Sequence, residues 1–528
     1  MLNRVFGKNT HDYLHILGLS GIAFSLTFSK VVMSISMMFI VLNVLLEADF
    51  KTYWQKLKSN RIYHLALLFC AVHVIGLLWS KDIGYGLHDL RAKLPLLVIA
   101  TILTAKPVTN RLYLHIVLGL FLISLAWTSF CNIGFYQHWF GSRVYDNFRG
   151  MSLFGSHIRY GMLIAFGVAV CLYFAKTIRK WAIPFLLFAA WLSYYTIYSQ
   201  VITGVLALSA VLIVFILYHI RNRSSIAAYI FLGSIVIGAG LGAIWLFNPL
   251  TIDPADYQNL PEYTAKGNRY VHNLDYVSSE TGEPILIYVC EPELKDSWNK
   301  RSSIGYDSLD MGGHQVKNTL IRFLSSKRLH KDAAGMEQLS NEDIICIERG
   351  FPSEQHSGLM ARLHGLRFEI NNTDDPNGRS LLQRIEYWKT GWAIAKDHWL
   401  IGVGTGDAQV AFDQKYEETN SVLLPENRHR SHNMYITIFL SFGIIGLGIF
   451  LFMLFYFVRI NLKQLRVLPL MFIAVFLITF LIEDSLETQT GITFFALFYG
   501  LYSLSSNKLG KQAKIVPIHN KISKAGNQ

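Results

Sequence analysis

Apolar residues in this chain gather into long runs separated by short basic loops, the pattern of helices that cross a bilayer rather than of alternating strands. Twelve runs begin near residues 14, 31, 63, 93, 111, 159, 181, 200, 226, 433, 466 and 490. The clearest are 111 to 130, 226 to 247 and 433 to 457. Each is close to the ~20 residues that a hydrocarbon core demands. The runs at 14, 93 and 490 are weaker and also suit re-entrant or interfacial helices. The gap before the tenth run is patterned too. PILIYVC (284 to 290) reads as a strand, and 316 to 329, 341 to 349 and 357 to 370 read as amphipathic helices. The expected fold is an all-α polytopic membrane protein of about 12 transmembrane helices, with a mixed α/β domain in the long loop before the tenth span. Residues 1–248 would hold spans one to nine, 249–432 the loop domain, 433–505 the last three spans and 506–528 a basic tail.

Composition agrees: the 528 residues are 52% hydrophobic and 16% charged, with a mean hydropathy of +0.32, which excludes an ordinary soluble domain. The net charge of +12 changes meaning once it is located. Residues 250–430 hold 20 Lys+Arg against 27 Asp+Glu, so the surplus lies in the loops between apolar runs. It is a topology signal and not a nucleic-acid site. With the N-terminus inside, the inner loops and tail carry 21 basic residues against three acids, Asp12, Glu47 and Asp49. The turn between the last two spans is acidic instead, with Glu483, Asp484 and Glu487. This bias places both termini in the cytoplasm and residues 250–430 outside, in the periplasm of a bacterial inner membrane. No cleavable signal peptide and no internal repeat are expected. Cys70, Cys131 and Cys171 fall in or beside spans and read as small apolar residues, whereas pairing of Cys290 with Cys346 stays open because sequence does not set their distance.

Candidate chemistry concentrates between 381 and 433. Leu381, Ile385, Trp388, Trp392, Ala395 and Trp399 recur at steps of three and four, one apolar stripe suited to a membrane interface. Arg384 lies one turn before Trp388, either snorkelling or held at headgroup depth to meet a phosphate. Gly402-Val403-Gly404-Thr405-Gly406-Asp407 follows a helix and lacks the P-loop lysine, so it reads as a tight turn allowing close approach to the membrane or a glycan. Next comes Arg428-His429-Arg430-Ser431-His432-Asn433, at the mouth of the tenth span. A histidine there can take a proton from a sugar hydroxyl near neutral pH, and neighbouring arginines can neutralise a diphosphate. His429-x-x-His432 is also half a metal site, but no third ligand has evident spacing. Plain interfacial anchoring competes with both.

The order of these features, RIEYWKTGWAIAKDHWLIGVGTGD (384 to 407) and then RSHNMYITIFLSFGIIGLGIFLF (430 to 452), resembles the O-antigen ligase and polymerase superfamily. With LRAKLPLLVI (90 to 99) and a long domain before the signature, the chain looks most like Bacteroidetes-type members. The signature covers only about 70 residues. The resemblance implies a GT-C-like membrane enzyme that works without metal or other cofactor at the periplasmic face. Its donor would be an undecaprenyl-diphosphate-linked glycan. His432 would then be the catalytic base or orienting group, and Arg384 a diphosphate ligand with Arg430 beside it. Asn433, Trp388, Gly404, Gly406 and Asp407 would be supporting residues. Relatives often carry an arginine in a middle span, whereas Ser199-Gln200-Val201-Ile202-Thr203-Gly204 has none here. A second cation would come from Lys93 or Arg159, with Arg91, Arg149 and His157 as further options.

The resulting expectation is an inverting, ligase-type glycosyltransferase that passes glycan to lipid A-core, in contact with membrane lipids and without nucleic acid. An O-antigen polymerase or a protein O-oligosaccharyltransferase would use the same donor. A twelve-span transporter is the rival from another class, opposed by the absence of related halves and of mid-span charges.

Overall fold

A computed structural model describes residues 8–141, 148–249, 251–354, 358–372 and 375–504. Arg4, the side chain of Arg149 and the tail 506–528 lie outside the described residues. All twelve expected runs form helices, and eight of these are long and apolar enough to cross a membrane by length and composition. The other four are Lys8–Ser25, Ile83–Ala105, Val467–Thr479 and Gln489–Ser503. Polar residues at the loop boundaries start several of the helices by accepting from the first free N–H groups. Asn60 caps Arg61–Ile75, Asn110 caps Arg111–Tyr136 and Ser224 caps Ser225–Phe247.

The helices His157–Thr177 and Gln489–Ser503 lie at the centre of the body, where Phe121, Phe166, Phe472, Phe494 and Phe498 interlock. By contrast, Ser225–Phe247 has no buried residue, as expected of a helix whose surroundings are as apolar as itself. At the end remote from the long loop, two of the three acids of the basic loops meet one lysine. The Lys106 amine lies 2.6 Å from Glu47 and 2.8 Å from Asp12.

The run at 433 to 457, expected as one uninterrupted span, is broken. Met434–Lys463 is two helical pieces meeting at Gly443, whose φ of 61° and ψ of −163° belong to a region essentially reserved for glycine. The break admits the chain that follows the Ser380–Asp397 helix. Ile444 N–H donates to Trp399 O at 2.8 Å, and Val403 and Gly404 N–H donate to Leu440 and Ser441 O, each at 2.9 Å. A Cβ on Gly443 would stand 2.2 Å from the Leu400 carbonyl. Gly443→Ala is therefore expected to destabilise the fold by about 1–3 kcal/mol. Gly448→Ala, where a Cβ meets nothing within 4 Å, should be near neutral. Thermal unfolding of the two variants in the same detergent checks the contrast.

In the long loop segment the expected strand is present as Pro284–Val289, paired antiparallel with Val271–Val277. The three expected helices appear as Val316–Ser326, Asn341–Glu348 and Leu359–Asn372. Trp298, Tyr306, Leu320, Phe323, Met336 and Ile347 form a separate apolar core there. Cys290 and Cys346 are not joined by a disulfide. Leu359–Asn372 ties this segment to the body: Asn371 Nδ2 donates to Leu246 O at 3.1 Å, and the Arg367 guanidinium lies 4.8 Å over the Trp245 ring.

Candidate functional site

His432 stands where two backbone constraints meet. Its φ of +46° is left-handed, uncommon for a residue with a side chain. Asn433 then starts the next helix by accepting from Tyr435 and Ile436 N–H at 3.0 and 3.1 Å, while its own amide donates to Leu481 O at 3.0 Å. Met434 N–H donates to Phe480 O at 2.8 Å. These bonds clamp the turn after Val467–Thr479 against the histidine, so Asn433 is a cap and a brace. The His432 Nδ1 lies 3.6 Å from Glu483 Oε2 and 3.8 Å from Asp484 Oδ1, with the Tyr387 ring 5.7 Å from the imidazole.

The acidic turn, expected as a solvated mark of sidedness, is buried: Glu483 is 5% exposed and Asp484 8%. Carboxylates tolerate that only when cations reach them, and here three elements supply cations. Lys93, on Ile83–Ala105, lies 2.9 Å from Glu487 and 2.6 Å from Asp89. Arg430 lies 3.5 Å from the other Glu487 oxygen and over the Tyr85 ring. Arg159, on His157–Thr177, lies 3.7 Å from Glu483.

The electrostatics follow from these distances. Burial raises the Glu487 carboxyl, but Lys93 and Arg430 outweigh it and hold the group well below the usual range. Burial likewise opposes Glu483, and His432, Arg159 and Arg384 bring it below its ordinary value. Asp484 is pushed up by burial. His429 is held down by burial and then by His432.

Arg384 differs from the other cations. Half-buried, it makes no ion pair with a carboxylate among the described residues, and its Nε is enclosed without a hydrogen-bond partner. Burial lowers its pKa, with Glu483 the first opposing charge. An enclosed guanidinium N–H without an acceptor is a group awaiting one.

The structure thus brings Arg384, His432, Arg430, Arg159 and Lys93 around a single turn. Lys93 is already neutralised by two carboxylates, whereas Arg384 is not. Arg91 is exposed and lines a cavity with Lys30 and Met38 that reaches Glu487 at the acidic turn. Glu483, Asp484 and Glu487 are the site residues that sequence reading missed. Their signal was three acids within five positions beside an apolar run, taken for sidedness alone. His429-x-x-His432 finds no third ligand, but His432, Glu483 and Asp484 offer ligand atoms all within 4.8 Å of one another. Arg159 and Arg384 act on the same Glu483, and their charge opposes a cation there.

The tryptophans of the interfacial stripe are not among the buried residues of their helix. Tyr387, Thr390, Gly391, Ile394 and Ala395 are buried, while Trp392 and Trp399 are exposed. Small Gly391, where a Cβ would lie 2.8 Å from Ile436, lets the two backbones approach where indoles would hold them apart. The glycine turn packs against the backbone of residues 76 to 86, while Gly402, Val403 and Asp407 also line a cavity. A Cβ on Gly406 would lie 2.0 Å from Asp82 O, and Asp407 accepts from the N–H groups of Lys81 and Asp82 at 2.8–2.9 Å.

Fold and site together define a multi-span membrane protein with a histidine, buried acids and arginines assembled where the long loop segment meets the helical body. Residues 357–451 match the model of the family described as O-Antigen ligase, which supports membership of that family. The match runs from the Leu359–Asn372 helix through Arg384, the glycine turn and His432 to the Gly443 break. No curated protein matches the chain.

Proposed function

We propose that this protein is a metal-independent, inverting glycan ligase. It transfers a glycan from undecaprenyl diphosphate to lipid A-core at the periplasmic face of the inner membrane, with both termini cytoplasmic. The observation that carries the reading is the Arg384 guanidinium, whose Nε is enclosed without a hydrogen-bond partner among the described residues and which shares Glu483 as an electrostatic neighbour with His432. An anion-seeking group and a proton-accepting group beside one carboxylate suit a donor diphosphate and an acceptor hydroxyl.

In this mechanism the acceptor oxygen forms a bond to the anomeric carbon as the carbon–oxygen bond to diphosphate breaks. The hydroxyl proton passes to the His432 imidazole, and the bonding pair leaves on the diphosphate. Glu483 and Asp484 orient the imidazole and stabilise its protonated form, while Arg384, with Arg159 and Arg430 nearby, meets the leaving charge. Lys93 holds Glu487 in place.

The test is a pair of substitutions at one position. Arg384→Ala should lower transfer strongly, and Arg384→Lys should recover only part of it, because lysine keeps the charge but loses the planar fork. Near-normal donor kinetics in both variants would remove Arg384 from donor binding. A lipopolysaccharide gel with analysis of the lipid-linked pool identifies the acceptor. Long glycan retained on undecaprenyl diphosphate with bare lipid A-core marks a ligase defect, and single repeat units on lipid A-core mark a polymerase.

A further inference from the structure

The Ser380–Asp397 helix carries Arg384 near its start and ends thirteen residues later, about 20 Å along its axis at 1.5 Å per residue. A second cavity of about 500 Å³ opens there, lined by Trp79, Lys81, Asp397, His398, Trp399 and Gln414 among others. It accounts for a motif that the chemistry at His432 leaves unused. Gly404, at φ +100°, has no Cβ to occupy the space beside Trp79, whose Cδ1 would lie 3.2 Å from such an atom. The glycine turn therefore seats the indole as one wall. Trp399, 58% exposed, comes from the helix end. The Trp79 Nε1–H is enclosed with no acceptor among the described residues.

The charges around this cavity do not suit a phosphate. Lys415 is spent on Asp397 at 2.7 Å, so among the described residues Lys81 is the one lysine of the lining and it stands beside two acids, Asp397 and Asp407. Leu400, Ile401, Val403, Val410 and Ala411 also line it, but Lys81, Asp397, His398 and Gln414 interrupt that apolar surface, so the lining is not that of an acyl-chain groove. Indole faces beside short-range donors and acceptors match a neutral sugar. A pyranose packs its C–H face on the electron-rich ring and turns its hydroxyls to the polar edge.

We propose that this cavity is a saccharide subsite that holds part of the glycan chain away from the reacting end. The identity of that chain rests on the reading of the protein as a glycan transferase, whereas the binding itself does not.

The experiment uses full-length protein in lipid nanodiscs. The probe is glycan released by mild acid from the lipid-linked pool and radiolabelled at its reducing end. Wild type should bind it, and Trp399→Ala and His398→Ala should each weaken binding at least tenfold. Two exposed positions on the cavity rim keep the result independent of one variant's folding. No binding by wild type, or binding by both rim variants as tight as that of wild type, overturns the subsite, even where transfer by wild type is normal. Unchanged glycan binding with altered retention of phosphatidylethanolamine also overturns it, making the indoles a membrane anchor. Absence of transfer by wild type with binding intact overturns the functional reading and leaves the subsite standing.

Discussion

His432→Ala is expected to abolish glycan transfer while leaving the protein in the membrane. Removing a positioned general base costs roughly 10²- to 10⁴-fold, and here the imidazole also fronts two buried carboxylates, at 3.6 and 3.8 Å. The residue is only partly buried, so truncation leaves little cavity behind. The clamp on the acidic turn comes from Asn433 and Met434 and survives the change. Glu483→Gln should act in the same direction but less severely, because the amide still fills the space while losing the charge that favours the protonated imidazole. The check is a lipopolysaccharide gel from a deletion strain complemented with each variant, alongside the undecaprenyl-linked pool and a blot for membrane content. Normal transfer by well-expressed His432→Ala would remove it from the mechanism.

Glu487→Ala is expected to have the largest effect on stability. Glu487 lies between Lys93, 4% exposed at 2.9 Å, and Arg430 at 3.5 Å. Taking the carboxylate away leaves Asp89 as the only close ion-pair partner of Lys93 among the described residues and removes the ion pair that Arg430 makes. Breaking a buried pair from one side costs about 3–5 kcal/mol, far more than the pair contributes over an apolar substitute. Glu487→Gln should fall between, since the amide oxygen still accepts from the lysine. Thermal unfolding in nanodiscs reads the order wild type, Gln, Ala. An unchanged midpoint for Glu487→Ala would mean that water reaches these cations and that the turn is not the closed cluster described above.

Much of this was legible without coordinates. The twelve apolar runs became twelve helices because hydrophobic length and the loop residues that cap helix ends are local properties. The loop strand and helices were legible for the same reason, through their periodicity. Arg384, Arg430 and His432 stood out as charges at positions where an apolar environment makes charge costly.

What escaped the linear reading involved partners distant in sequence. The Gly443 break exists because Leu400–Gly404 must pass there, and nothing within 433 to 457 announces that neighbour. The tryptophan stripe was legible as periodicity, but the face that packs on Ile436, with small Gly391 at the contact, depends on a neighbour about 45 positions away. Glu483, Asp484 and Glu487 looked like a solvated turn because their cations lie 50 to 400 positions away.

The sequence by itself determined which segments are helical and which side chains carry the charge, since local geometry and transfer from water decide both. Only the tertiary structure decided which charges are spent on each other and which remains open. Pairing in a low-dielectric interior depends on distances of a few ångströms between groups from separate helices, and among the described residues it leaves the Arg384 Nε without a hydrogen-bond partner.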